Sequence, residues 1–246
     1  MNRRQFTKLT SIGSLGTVLF GCKDNPVFPF KKNQIIGCFG DSVTFGGKNG
    51  YVEMLQKIVD EKRPNLNLSF LNLGKSSETI TGLTEIGHPG PRPYLFERLD
   101  ETLESTKIDM AFFCYGINCG IYGKPSQKLF ASYKIGIFSF LEKLKQRGIP
   151  AVLLTPPPLT LETVPIDIDE QQPFTWQNPY PKYEEEVLQE FKEIILSTKH
   201  QSVIASIDIH SVLLRNQKEC YDKDPIHPNL TGHRLISEAI VEKLRI

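Results

Sequence analysis

Five residues in four separated stretches could carry out nucleophilic chemistry together. Ser42 stands in the glycine-rich loop "GDSVTFGG", directly after an apolar run. A serine at a strand-to-helix turn exposes its hydroxyl, and its own N–H can face a developing oxyanion. Asp224 and His227 share the stretch "DPIHPN" near the end of the chain. That spacing lets a carboxylate hold one imidazole nitrogen while the other faces a serine, which makes the hydroxyl a nucleophile. Gly74 in "NLGKSSET" offers an uncrowded backbone N–H, and Asn118 in "YGINCG" offers an amide donor. Taken singly, each has a plainer reading: a helix-capping serine, a turn glycine, an Asx-turn asparagine, a chance D-x-x-H. A phosphate-binding loop is excluded, because Gly46-Gly47-Lys48 lacks the required spacing and the following hydroxyl. No G-x-G-x-x-G is present either.

These stretches act together only if the fold brings them to one place. The chain between them alternates two patterns. Apolar runs at 34–39, 67–74, 108–116, 149–158 and 201–210 read as buried strands. Segment 51–62 carries Val52, Leu55, Ile58 and Val59 at helical spacing, and Pro64 stops it. Helices are also predicted at 95–103, at 126–148 with Gly148 closing it, at 181–199 with Pro181 opening it, and at 229–246. Such alternation predicts βαβ units and an α/β fold: a three-layer α/β/α, flavodoxin-like domain with a five-stranded parallel sheet. Ligands bind such sheets beyond the carboxyl ends of the strands. The four stretches all fall in loops expected at that edge. His233 is expected in the last helix and His210 at a strand end.

The four blocks "GDSVTFGG", "NLGKSSET", "GIN" and "DPIHPN", in this order, resemble those of the SGNH hydrolases, also called GDSL-type esterases. The resemblance runs from about residue 35 to the C-terminus. Val43 stands where the family name has leucine, and Cys119 where the third block has aspartate. The resemblance implies the SGNH hydrolase fold and the hydrolysis of carboxylic esters. It implies Ser42 as nucleophile, His227 as general base and Asp224 as its orienter. It further implies an oxyanion hole made by the Ser42 N–H, the Gly74 N–H and the Asn118 side chain. This chemistry requires no metal or cofactor. Cys38, Cys114, Cys119 and Cys220 form no C-x-x-C pair, which disfavours zinc. Cys38 and Cys114 lie in apolar runs and read as core thiols, and the sequence does not pair the four.

Other loops bear on the substrate. Glu85, His88 and Arg92 lie in a Pro/Gly-rich segment and are expected at the pocket rim, the alternative being a solvated loop. Tyr122, Trp176 and Tyr180 fall in loops after the third and fourth strands. Rings there either stack on sugars or are buried. No apolar lid is evident. The expected substrate is therefore a small-molecule or glycan ester, with an acyl group, acetyl for choice, on carbohydrate. The alternatives are a lipase or small-ester acylhydrolase of the same fold, and a noncatalytic carbohydrate-binding lipoprotein.

Residues 1–22 have a basic start with Arg3 and Arg4, a run of small and apolar residues, and Cys22 in "LFGC". This is the layout of an export signal of twin-arginine and lipoprotein type, with lipidation at Cys22, the other readings being an ordinary cleaved signal or a short uncleaved anchor. Residues 23–33 read as a tether and 34–246 as the hydrolase domain. The protein is thus expected at the periplasmic or cell-surface side, touching membrane only through the anchor. The 246 residues carry 29 Lys+Arg against 28 Asp+Glu, a balance that calls for no nucleic-acid partner. A hydrophobic content of 39% in a chain of this length supports one sizeable core.

Overall fold

The structure, a computed structural model, describes residues 30–246. The expectations for 1–22, Cys22 included, and for most of the tether lie outside the described residues.

The chain runs β1 (Ile35–Gly40), α1 (Ser42–Phe45), α2 (Tyr51–Lys62), β2 (Ser69–Gly74), α3 (Leu99–Ser105) and β3 (Met110–Cys114). It continues through α4 (Gln127–Lys145), β4 (Ala151–Leu154), α5 (Gln189–Ser197), β5 (Val203–Ile207), α6 (Ile209–Arg215), α7 (Gln217–Cys220) and α8 (Leu230–Leu244). One turn of π-helix, Glu184–Leu188, leads into α5. The five strands form one sheet in the order β2-β1-β3-β4-β5, and every neighbouring pair is parallel. This is the flavodoxin-like order, with its crevice where the chain turns from one side of β1 to the other.

Side chains of a strand alternate between faces, and the sheet uses this to build two cores. Ile36, Cys38 and Phe112 pack on one face beneath Val52 and Leu55 of α2 and Ile236 and Ile240 of α8. Phe39 and Phe113 pack on the other with Tyr133 and Phe140 of α4 and Phe191 of α5. Each fully buried phenylalanine contributes roughly 1.5–3 kcal/mol relative to exposure.

Local signals set the ends of the elements. Pro64 follows Arg63, which leaves helical geometry at φ −136° and ends α2. Ser126 caps α4 by accepting the Leu129 N–H at 3.1 Å. Asn229 caps α8 by accepting the Thr231 and Gly232 N–H groups. The Asp208 carboxylate accepts the Ser211 N–H at 2.9 Å and starts α6. That cap corrects the placement of His210, which lies in the first turn of α6 and not at a strand end. His233 is on α8, as its position suggested. The four cysteines beyond residue 30 are free and buried. Among the described residues, no helix is long and apolar enough to cross a membrane.

Candidate active site

β1 delivers Ser42 to the carboxyl edge of the sheet through a turn that only glycine permits. A Cβ on Gly40 would meet Thr44 Oγ1 at 1.9 Å and the Cys114 carbonyl at 2.7 Å. Asp41 then caps the short α1, its Oδ1 accepting the Val43 N–H at 3.0 Å. Ser42 is therefore the first residue of a helix, where an N–H has no intrahelical acceptor. Asp41 is fully buried, and among the described residues its Oδ2 has no partner. Burial pushes this carboxyl up to about 7, against the opposing Val43 hydrogen bond and the His227 charge.

The segment between α7 and α8 brings His227 to the same edge. Its Nε2 lies 2.8 Å from Ser42 Oγ, and its Nδ1 lies 2.6 Å from Asp224 Oδ2. A carboxylate only accepts, so Nδ1 carries the proton and Nε2 is left to accept from the serine. Asp224 is itself fixed, because its Oδ1 accepts the Ile226 N–H at 2.7 Å. Burial alone would raise the Asp224 carboxyl, but the hydrogen bonds from His227 and the Ile226 N–H outweigh it and hold it below the usual range. The Asp224 hydrogen bond in turn raises His227 above an ordinary imidazole, with burial opposing. His233 does not compete as a base: burial, then the His227 charge, holds it down to about 4.

Asn118 reaches the site from the loop after β3. It is buried, and among the described residues its Nδ2 has no hydrogen-bond partner. Its Oδ1 accepts the Tyr122 hydroxyl at 2.9 Å. The loop needs no aspartate after Asn118. The Tyr183 hydroxyl donates to the Ile117 carbonyl at 2.9 Å and accepts the Gly120 N–H at 3.1 Å, bracketing Asn118 from both sides. Thr81 Oγ1 adds a bond to the Cys119 carbonyl at 2.9 Å.

Gly74 does not occupy the position expected of it. Its N–H is taken by Asn72 Oδ1 at 3.1 Å. Its glycine serves packing instead, since a Cβ there would meet the Phe45 nitrogen at 2.3 Å. The residues of this loop that line the site lie two and three positions on. Ser76 and Ser77 line the same cavity as Ser42, Asn118 and His227. Ser77 sits at φ +63° in a turn closed by the Glu78 N–H on the Lys75 carbonyl. The sequence held no signal for this, because a serine is not the residue type expected in left-handed geometry.

The cavity over Ser42 measures about 260 Å³. His88, Arg92, Tyr122 and Trp176 also line it. Glu85 does not: it is buried behind the wall, in a bidentate ion pair with Arg92. Tyr122 is buried with its ring stacked on Tyr183 and beneath the Arg92 guanidinium, so it presents no open face to a sugar. His88 donates from Nδ1 to the Gly90 carbonyl at 2.7 Å. Trp176 is 44% exposed and is the aromatic residue with an open ring at the mouth. Tyr180 packs against Phe174 and bonds Glu186, away from the cavity lining. The loop carrying Trp176 braces itself, with Asn178 bonding the Asp169 N–H and the Asp169 and Pro173 carbonyls. Among the described residues, no group of three His, Cys, Asp or Glu side chains could hold a metal ion.

A family model described as the GDSL-like Lipase/Acylhydrolase family matches residues 38–235. Among solved structures, an acetylxylan esterase from Geobacillus stearothermophilus is similar at 19% identity and a TM-score of 0.62, over 88% of this chain and 96% of that one. An α/β hydrolase enzyme from the metagenome of Lake Arreo, Spain, is similar at 18% identity and a TM-score of 0.61, over 88% of this chain and 97% of that one. At such identities the likeness shows the fold. No curated protein matches the chain.

Proposed function

The chain belongs to the GDSL-like Lipase/Acylhydrolase family and is an ester hydrolase, and from that premise we propose a serine esterase that removes short acyl groups, acetyl above all, from carbohydrate. The observation that carries the reading is the Ser42–His227–Asp224 chain of contacts, at 2.8 and 2.6 Å. Ser42 Oγ attacks the ester carbonyl as its proton passes to His227 Nε2. Asp224 keeps the imidazole in the right tautomer and stabilises the imidazolium. The oxyanion is met by the Ser42 N–H, by Asn118 Nδ2 and by the N–H of the Ser76–Ser77 turn. His227 returns its proton to the leaving alcohol. Water then releases the acid by the same route.

Three features support a glycan ester. The cavity is small, at about 260 Å³. Its wall mixes polar groups with the open Trp176 ring. The acetylxylan esterase is among the chains of this fold. The sequence of 1–22 supports export and anchoring through Cys22. The decisive experiment is acetate release from acetylated xylan and other acetylated sugars, set beside a p-nitrophenyl ester series of rising chain length. Wild type is expected to prefer acetyl, and Ser42→Ala to be inactive on every ester. Equal turnover by the two proteins would defeat the assignment, and preference for long chains would favour a lipase.

A further inference from the structure

An oxyanion donor is useful only if the right atom faces the cavity. A carboxamide turned by half a rotation would present Oδ1 to the oxyanion and repel it. The Tyr122 hydroxyl engages Asn118 Oδ1 at 2.9 Å and so sets which way the amide points. A hydroxyl can give or accept, and something must fix its direction. The Arg92 guanidinium lies over the Tyr122 ring, 5.7 Å from its centroid. A cation there draws density from the ring and favours donation by the phenol. Arg92 is in turn seated by Glu85, both side chains being at most 2% exposed. Arg92 Nη1 also donates to the Ser77 carbonyl at 3.2 Å, tying the second donor loop to the same group.

The backbone carries a second, independent sign. Ile121 and Tyr122 hold φ values of +48° and +56°, unfavourable for residues with a Cβ. Strain of this kind persists where the surroundings over-determine it, and it gathers at functional sites. Here it accompanies the Tyr122 hydroxyl's bond back to Asn118. Arg92 spends its charge on Glu85, so it is not an anchor for an anionic substrate.

We propose that Glu85, Arg92 and Tyr122 form a buried positioning device that holds the Asn118 amide, and with it the Ser77 turn, in the orientation that receives the oxyanion. Tyr122 is a positioning residue and acts through Asn118. The inference rests on the esterase reading above.

The test is steady-state kinetics on p-nitrophenyl acetate for wild type, Ser42→Ala, Tyr122→Phe, Asn118→Ala and the Tyr122→Phe/Asn118→Ala double variant. Phenylalanine keeps the ring and its stacking, so the fold is preserved. Tyr122→Phe is expected to lower kcat about 5- to 10-fold, the worth of one hydrogen bond, with KM within about twofold of wild type. Asn118→Ala is expected to lower kcat about 10²- to 10³-fold. The double variant should match Asn118→Ala alone, and the pH at which activity rises should not move in Tyr122→Phe. Independent, multiplying losses would overturn the positioning device, as would an unchanged kcat in Tyr122→Phe or in Asn118→Ala while Ser42→Ala is dead. Full turnover by Ser42→Ala would instead remove the esterase reading and this inference with it.

Discussion

Ser42 Oγ and His227 Nε2 lie 2.8 Å apart although the two residues are 185 positions apart in the chain. The contact is made by topology: the turn after β1 and the segment before α8 meet at one edge of the sheet. The contact to the hydroxyl therefore depends on Asp224, which bonds His227 Nδ1 at 2.6 Å, as much as on the serine's own loop.

The first prediction concerns pH. In the proposed mechanism the base works deprotonated, so kcat/KM should rise as pH climbs through the His227 pKa, which its bond to Asp224 holds above the ordinary 6.5. The acid limb of the wild-type profile is expected above 6.5 accordingly. Asp224→Asn removes that charge, so the limb should move down while kcat falls about 10⁴-fold. A pH–rate profile of both proteins checks this, and an unmoved limb would contradict the raised imidazole.

The second concerns Asp41. Its carboxyl is raised from 3.8 to about 7 in the fold, chiefly by burial. The native state thus binds this proton more tightly than the unfolded chain. Its contribution to stability is greatest below pH 3.8 and is lost as pH rises to about 7. Asp41→Asn keeps an oxygen for the Val43 N–H but has no such titration. Its Tm relative to wild type should improve from pH 5 to pH 7 and then level off. Thermal melts at several pH values measure this, and a constant difference would refute it.

The third separates two backbone positions. Gly74→Ala forces a Cβ against the Phe45 nitrogen, where the contact would be 2.3 Å. It should cost about 1–3 kcal/mol by overpacking and displace the helix that carries Ser42. Ser77→Gly relieves a residue at φ +63° and leaves its N–H in place. It should be stabilising by up to about 1 kcal/mol, with kcat retained. Urea unfolding and kcat together decide both.

The fourth concerns Trp176, which is 44% exposed at the mouth. Trp176→Ala should raise KM for acetylated xylo-oligosaccharides about 3- to 10-fold, the worth of one stacking contact. KM for p-nitrophenyl acetate should barely change. An equal rise for both would mean that the ring supports the cavity and does not bind sugar.

How far the sequence carried differs from place to place. The helix Tyr51–Lys62 was legible to the residue, because its apolar face is regular and Pro64 marks its end. The parallel five-stranded sheet followed from the alternation of patterns. His210 was misplaced because the Asp208 cap lies inside an apolar stretch that reads equally well as strand. Gly74 was chosen because glycine admits close approach, and it does, but to α1 and not to the cavity. Arg92 does line the cavity, but Glu85 read as a rim residue too, because spacing cannot show that two charges will bury each other. Tyr122 was read as a loop aromatic that could stack on a sugar, since the bond from its hydroxyl to Asn118 depends on left-handed backbone that its residue type does not announce.

The two walls of the cavity are attached in different ways. The wall from 84–92 is bolted to Asn118 and Ser77 through Arg92. The Trp176 wall is braced mainly within itself by Asn178 and meets its neighbours through Phe174, which packs on Tyr180 and Lys124. One side can change only together with the reaction centre, while the other carries no direct bond to it and has more room to vary. Divergence in what the enzyme accepts, and any attempt to retarget it, should therefore concentrate in 169–178.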